Sequence, residues 1–293
     1  MFRVFRRFGT VIQISPIVFI LNVTALYAFF FITDEIIRRL GTTERGFFCV
    51  DPSIHYPPRH SSVTSLQHRI YNISLTVVAV FFVEGIRLCH MAPRALRLVY
   101  RVGKMEISKY FVFVLTFIGY SQIGYIVNEL LVMFVKGFVG RLRPSFHEIC
   151  NPLPISACDN LNPNTYIEEY TCTGDPEDVE EARKSFYSGH STVSMYCAFW
   201  TVLYLQARLK PALRNTMIVA ILQTIIMTIG LYIACSRISD NKHHWSDVIV
   251  GIIVGMCLAL ASAAWWGKVF QATEVGEDVE DELKSHENRK NTV

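Results

Sequence analysis

Six long apolar runs decide most of what this chain can fold into. They cover residues 11–33, 70–90, 110–135, 190–208, 214–235 and 248–270, and each is close to the roughly 20 residues that a helix needs to cross about 30 Å of hydrocarbon. Inside a bilayer no water is available to pair free amides and carbonyls, so such a run must satisfy its own backbone and is read as a helix. With 51% hydrophobic residues, the 293-residue chain holds more apolar side chain than a single water-soluble core uses. The pattern predicts an all-α integral membrane protein built as a bundle of six transmembrane helices. One membrane domain spans residues 1–270, and an acidic, disordered cytosolic tail follows over 271–293, where no apolar period recurs.

Six spans place both termini on the same side. Arg3, Arg6 and Arg7 precede the first run, the stretch from Arg87 to Lys109 holds six Lys/Arg, and residues 208–214 hold three more. The density of these cations favours cytosolic termini. The first run is too long for a signal-peptide core and no small-residue cleavage site follows it, so it is read as a retained anchor. Segments 34–69 and 136–187 then lie on the exoplasmic side. They carry Cys49, Cys150, Cys158 and Cys172, a pool for one or two disulfides or for free thiols. The sequons at Asn22 and Asn72 fall inside predicted spans, so no N-glycan is expected. The sequence shows no Gly-rich nucleotide loop and no nucleic-acid pattern, which excludes those partners. Plasma membrane, Golgi and ER remain alternatives, and homo-oligomerisation is open.

Three polar clusters fall on that exoplasmic face. The third run leaves the membrane at KGFVGRLRP, the fourth enters at SFYSGHST, and SRISDNKHHWSD joins the fifth to the sixth. Lys136 and Arg143 are seven apart, about two turns along one helical stripe, and Pro144 ends the helix near Arg143. Such a pair can clamp an anion, although a snorkelling Lys136 needs no ligand. Arg141 lies off the stripe and is read as a surface charge. Ser188, Gly189 and His190 open a helix, where free amides and the helix dipole favour an anion and a histidine can pass a proton. An ordinary N-cap with an interfacial ring is the plainer alternative. His243 and Asp247, four apart, share a helix face, and a carboxylate accepting from one ring nitrogen leaves the other free to attack. Arg237 adds donors suited to phosphate oxygens. Here too a capping Asp247 beside a solvated His243 would suffice. Asp240, Lys242 and His244 are assigned to a solvated turn. Two histidines among three cations, without an HExxH or CxxC spacing, do not make a metal site, and no cofactor is expected.

Taken together, Lys136-x6-Arg143-Pro144, Ser188-Gly189-His190 and Ser236-Arg237-x5-His243-x3-Asp247 resemble the three-part signature of the type 2 phosphatidic acid phosphatase superfamily. SFYSGHS and KHHWSD are similar to its lipid phosphate phosphatase branch. The resemblance implies a metal-independent phosphohydrolase acting on phosphatidic acid, lysophosphatidic acid, sphingosine 1-phosphate or ceramide 1-phosphate. It implies that Lys136, Arg143, Arg237, Ser188 and Gly189 hold the phosphate. His243 would form a phosphohistidine, Asp247 would orient it, and His190 would protonate the leaving alkoxide and then activate water. The alternatives are a catalytically silent scaffold-type relative and a headgroup transferase similar to the sphingomyelin synthases.

Overall fold

The computed structural model describes residues 5–8, 11–89, 99–153, 165–209, 211–266 and 269. The helices that build it are α1 (Pro16–Leu40), α2 (Ser65–Cys89), α3 (Lys109–Val139), α4 (Phe146–Cys150), α5 (Pro176–Ala182), α6 (Gly189–Arg208), α7 (Met217–Ser239) and α8 (Trp245–Ala261). The acidic tail over 271–293 and Cys158 lie outside the described residues.

Local chemistry sets the helix ends. Ser15 caps α1 by accepting from the Val18 amide, and Pro16, which has no amide to leave unpaired, follows it. The first apolar run therefore does not begin as a helix. Val11–Ile14 instead forms a strand between Phe5–Phe8 and Val99–Val102, in a small sheet completed by Met105–Ile107. At its far end α3 stops at Gly140, which adopts φ +58° and returns its amide to the Lys136 carbonyl.

The protein is an all-α integral membrane protein, and five helices among the described residues are long and apolar enough to cross a membrane: α1, α2, α3, α7 and the run from Trp245 to Trp265. α1 buries none of its residues and turns Ile17, Ile20, Phe31 and Ile32 outward. A surface so apolar belongs against lipid. The run expected over 190–208 forms a helix but is not among these five. Thirteen of its 20 residues are buried, because α6 packs against α2, α3, α7 and α8. A helix enclosed by protein can carry hydroxyls that lipid would penalise, provided each finds an acceptor. Thr192 donates to Asn128 Oδ1 at 2.9 Å, Ser194 to the His190 carbonyl at 2.7 Å, and Tyr196 to the Ser121 carbonyl at 2.7 Å.

α8 approaches α6 through glycines. A Cβ on Gly251 would stand 2.8 Å from the Ser188 carbonyl oxygen, and one on Gly255 would stand 2.2 Å from that of Thr192. Such contact brings backbones close and gains dispersion along their length. Gly255→Ala is expected to destabilise the fold by about 1–3 kcal/mol through overpacking. Gly119→Ala on α3, where a Cβ meets nothing within 4 Å, should leave the thermal midpoint in detergent unchanged or slightly raised.

At the end of α6 distant from Gly189, an ion pair fixes the bundle. Arg208 donates to Glu84 through Nε at 3.0 Å and Nη2 at 3.1 Å, and Tyr204 donates to the same carboxylate at 2.7 Å. Both charges are almost wholly buried, so the two-pronged geometry is what makes the burial tolerable.

A small cap covers the other end. Phe47–Phe48 pairs with Tyr166–Ile167, Pro152–Leu153 pairs with Thr171–Cys172, and Phe47, Ile54, Leu142, Phe146 and Ala182 form its core. Cys150 and Cys172 are disulfide-bonded across 22 residues, and Cys49 is also disulfide-bonded. Cross-linking a loop of that length removes unfolded-state entropy and returns the chain to α3 through α5.

Candidate active site

The three polar clusters meet at one end of the bundle, where α3 and α7 finish and α6 and α8 begin. α3 ends at Val139, so Arg143 lies beyond the helix and not on the Lys136 stripe that the spacing predicted, and its amide donates to the Ala182 carbonyl at 2.8 Å. Ser188 is the N-cap of α6, buried, with its Oγ facing the Ser191 amide and its own amide donating to the Asp247 carbonyl at 3.1 Å. A Cβ on Gly189 would meet Val132 at 3.2 Å, so the entrance of α6 is packed against α3.

Arg237 is buried on the last turn of α7, where its Nη2 donates to Asp240 Oδ2 at 2.5 Å. Asp240 also accepts from the Ser62 amide at 2.9 Å and the Ser62 hydroxyl at 2.5 Å. The Arg59 guanidinium reaches the Ser239 carbonyl at 3.0 Å, and Asn241 reaches the Pro57 carbonyl at 2.9 Å. The segment 57–62 therefore straps this turn. Asp240, read from the sequence as part of a solvated turn, is instead the buried partner that aims Arg237.

His243 is 4% exposed. Its Nδ1 lies 2.7 Å from the Ser185 carbonyl oxygen and 3.8 Å from Asp247 Oδ2. A carbonyl can only accept, so the ring carries its proton on Nδ1 and leaves the Nε2 lone pair free. Burial drives the His243 pKa down, Asp247 opposes this only in part, and Arg143 and Lys136 add to the depression, bringing it to about 3. At neutral pH the ring is uncharged.

Asp247 is fully buried at the start of α8. It accepts from Arg141 Nη1 at 2.5 Å, Ser185 Oγ at 2.6 Å and the His244 amide at 3.1 Å. It both caps α8 and anchors Ser185, whose carbonyl holds His243. The reading of Arg141 as a surface charge fails here. That reading extended the α3 stripe past residue 139, whereas Gly140 turns the chain out of the helix and points Arg141 at Asp247 and at Ser246 Oγ, 2.8 Å away. His244 likewise is engaged, its Nε2 lying 3.0 Å from the Leu142 carbonyl.

His190 stacks on His68 of α2, ring centroids 4.3 Å apart and planes 24° apart. Its Nε2 is buried without a protein partner, as is that of His68. Arg237, His243 and Lys136 all lie within electrostatic reach of the His190 ring. Lys136 and Arg143 face a common partner, Glu181 of α5: Arg143 pairs closely with it, and Lys136 Nζ lies 3.9 Å from Glu181 Oε1. Burial would raise the Glu181 carboxyl pKa, but Lys136, Arg143 and Lys184 outweigh it and hold the group below its ordinary range. The motif residues named from the sequence thus gather at this end of the bundle. Sequence reasoning missed His68, Ser185 as the His243 acceptor, and Glu181.

Among the described residues no group of three or more His, Cys, Asp or Glu is arranged to hold a metal ion. What converges instead is three cations, a helix N-terminus and two imidazoles, an arrangement that can bind a multiply charged oxyanion and present a neutral nitrogen to it.

Comparison with known proteins identifies relatives of the chain. Residues 113–271 match the PAP2 superfamily. A Caenorhabditis elegans protein named phospholipid phosphatase homolog 1.2 homolog is 46% identical over 250 residues, 84% of this chain and 73% of its own length. Phospholipid phosphatase 2 of Rattus norvegicus is 34% identical, with 78% of each chain covered, and phospholipid phosphatase 1 of Rattus norvegicus is 33% identical over 79% of this chain and 78% of its own. No solved structure gives a significant match. On the extent of these matches, the chain belongs to the PAP2 superfamily, within its phospholipid phosphatase branch.

Proposed function

We propose that this protein hydrolyses lipid phosphate monoesters, such as phosphatidic acid, lysophosphatidic acid, sphingosine 1-phosphate or ceramide 1-phosphate, through a phosphohistidine on His243. The observation that carries the reading is the His243 ring itself: buried, its Nδ1 proton committed to the Ser185 carbonyl, and the charges of Arg143 and Lys136 within electrostatic reach of it. Relatives named phospholipid phosphatase support a phosphatase acting on lipid.

In the first step His243 Nε2 attacks phosphorus and the bond from phosphorus to the lipid oxygen breaks. His190 supplies the proton that the departing alkoxide takes up. In the second, His190 accepts a proton from water as that water attacks the phosphohistidine, releasing inorganic phosphate and restoring His243. Lys136, Arg143, Arg237, Ser188 and the Gly189 amide hold the nonbridging oxygens as charge develops on them, which is where most catalysis of phosphoryl transfer resides.

Since the cradle is made of side-chain cations, turnover in mixed micelles is expected to change less than about 2-fold on adding excess chelator. A loss restored by Mg²⁺ would reject this cradle. The proposed topology has α6 as a sixth span, cytosolic termini and the pocket on the exoplasmic face of the plasma membrane, Golgi or ER. Tags at the two termini, tested for protection in sealed vesicles, check it.

A further inference from the structure

His68 lies against the pocket but takes no part in the two steps above. It stands on the first turn of α2, and the sequence fixes that turn. The Gln67 amide donates to Thr64 Oγ1 at 3.2 Å and Gln67 Oε1 accepts from the Thr64 amide at 3.0 Å, a reciprocal cap that sets where the helix begins. From there His68, Asn72, Thr76, Val80 and Glu84 fall on one buried face, spaced as residues that share a side of a helix are. α2 packs on α6. Glu84 is tied to Arg208 of α6. Nearest the pocket, the His68 ring, 5% exposed, lies flat on the His190 ring with centroids 4.3 Å apart and planes 24° apart. Its ring also reaches the His190 backbone.

A helix fixes where an imidazole starts but not its plane, because the last torsion of such a ring has a broad profile. A hydrogen bond at a ring nitrogen can fix it, as the Ser185 carbonyl does for His243. Nε2 of His190 has no protein partner, and neither has Nε2 of His68. What the fold sets against the His190 plane is the face of His68. Contact through the face leaves the ring edge, which carries Nε2, for the substrate.

We propose that His68 is a positioning residue: its ring face holds the plane of His190 so that Nε2 meets the leaving oxygen of the lipid, without His68 touching that oxygen. The inference rests on the assignment of His190 as the proton donor in the first step. Its effect then depends on the leaving group. An alkoxide is strongly basic and departs as it takes up a proton, whereas 4-nitrophenolate is weakly basic and departs without one.

The test uses the full-length protein in detergent with octyl phosphate and 4-nitrophenyl phosphate, each labelled in the phosphate, and reads the rate of phosphoryl-enzyme formation by rapid quench. That step comes before the attack of water, which is the same for both probes. In His68→Leu the rate with octyl phosphate should fall ~10–100-fold, the scale of a reacting group displaced by about an ångström, while the rate with 4-nitrophenyl phosphate should change by less than about 3-fold. His68→Phe restores a flat face and should bring the octyl phosphate rate back to within about 3-fold of wild type. His68→Met takes the place of the leucine variant if that one does not fold. Equal losses with the two probes, an undiminished octyl phosphate rate, or a phenylalanine variant as slow as the leucine one would overturn the proposal while leaving the phosphohistidine intact. Wild type that forms no phosphoryl-enzyme with either probe would reject the phosphohistidine reading, and this role with it.

Discussion

His243→Asn is expected to leave a folded protein whose turnover of lipid phosphates falls by on the order of 10⁴-fold or more, the scale seen when a nucleophile is removed. The asparagine amide can still donate to the Ser185 carbonyl that now accepts from Nδ1, so the turn between α7 and α8 keeps its contact. What disappears is the nitrogen that bonds to phosphorus. Wild type, quenched during turnover of a labelled lipid phosphate, should yield a protein-bound phosphate stable in alkali and labile in acid, and the variant should yield none. The pH dependence has a definite sign. The folded ring has a pKa of about 3, below its usual 6.5, so it protonates only in strong acid. Formation of the phosphoryl-enzyme should therefore not be lost to His243 protonation between pH 7.5 and 5.5. Turnover persisting in the asparagine variant would show that this ring is not the nucleophile.

Asp247→Ala is expected to damage both stability and chemistry. The carboxylate is fully buried and accepts from Arg141, Ser185 and the His244 amide. Leaving the Ser185 hydroxyl and the His244 amide without their acceptor costs about 1–3 kcal/mol each, while Arg141, 35% exposed, can recover water. Ser185 would lose its anchor and His243 its fixed acceptor, so turnover of the folded fraction should drop by roughly 10²–10⁴-fold, as when a histidine's orienting carboxylate is lost. Asp247→Asn separates the two effects. One amide oxygen can restore the cap on His244 and part of the stability, while the charge opposite Arg141 stays missing and turnover stays low. Unfolding midpoints measured beside kcat for both variants decide whether Asp247 acts on the reaction or only on the fold.

The helices were legible in the sequence because lipid imposes long apolar runs, and the order of the runs placed three motifs at one end of the bundle. Their exact starts were not legible. Ser15 and Pro16 move the beginning of α1 inside the first run, and the strand at Val11–Ile14 depends on pairing with residues 99–101, nearly ninety positions away. Within the site, His190 and Asp247 sit on the first turns of helices, as their sequence context predicted, whereas His243 precedes α8 and its Nδ1 faces the Ser185 carbonyl at 2.7 Å, with Asp247 farther off at 3.8 Å. Arg141 was misjudged because helical geometry stops applying at Gly140, and the glycine was the available signal. Glu181 and His68 carry no local signal. One depends on a disulfide-tied loop folding back onto Arg143, the other on where α2 meets α6.

The Glu84–Arg208 pair has a consequence for how such a chain can vary. With α6 anchored by Arg208 at one end and presenting His190 at the other, the two are separated by a whole number of residues on one rigid rod. Inserting or deleting a single residue between them would swing the histidine by about 100° relative to its anchor. Length polymorphism in this protein should be confined to its connecting segments, and a one-residue change within 191–207 should be lethal to function even where every side chain in the pocket is kept.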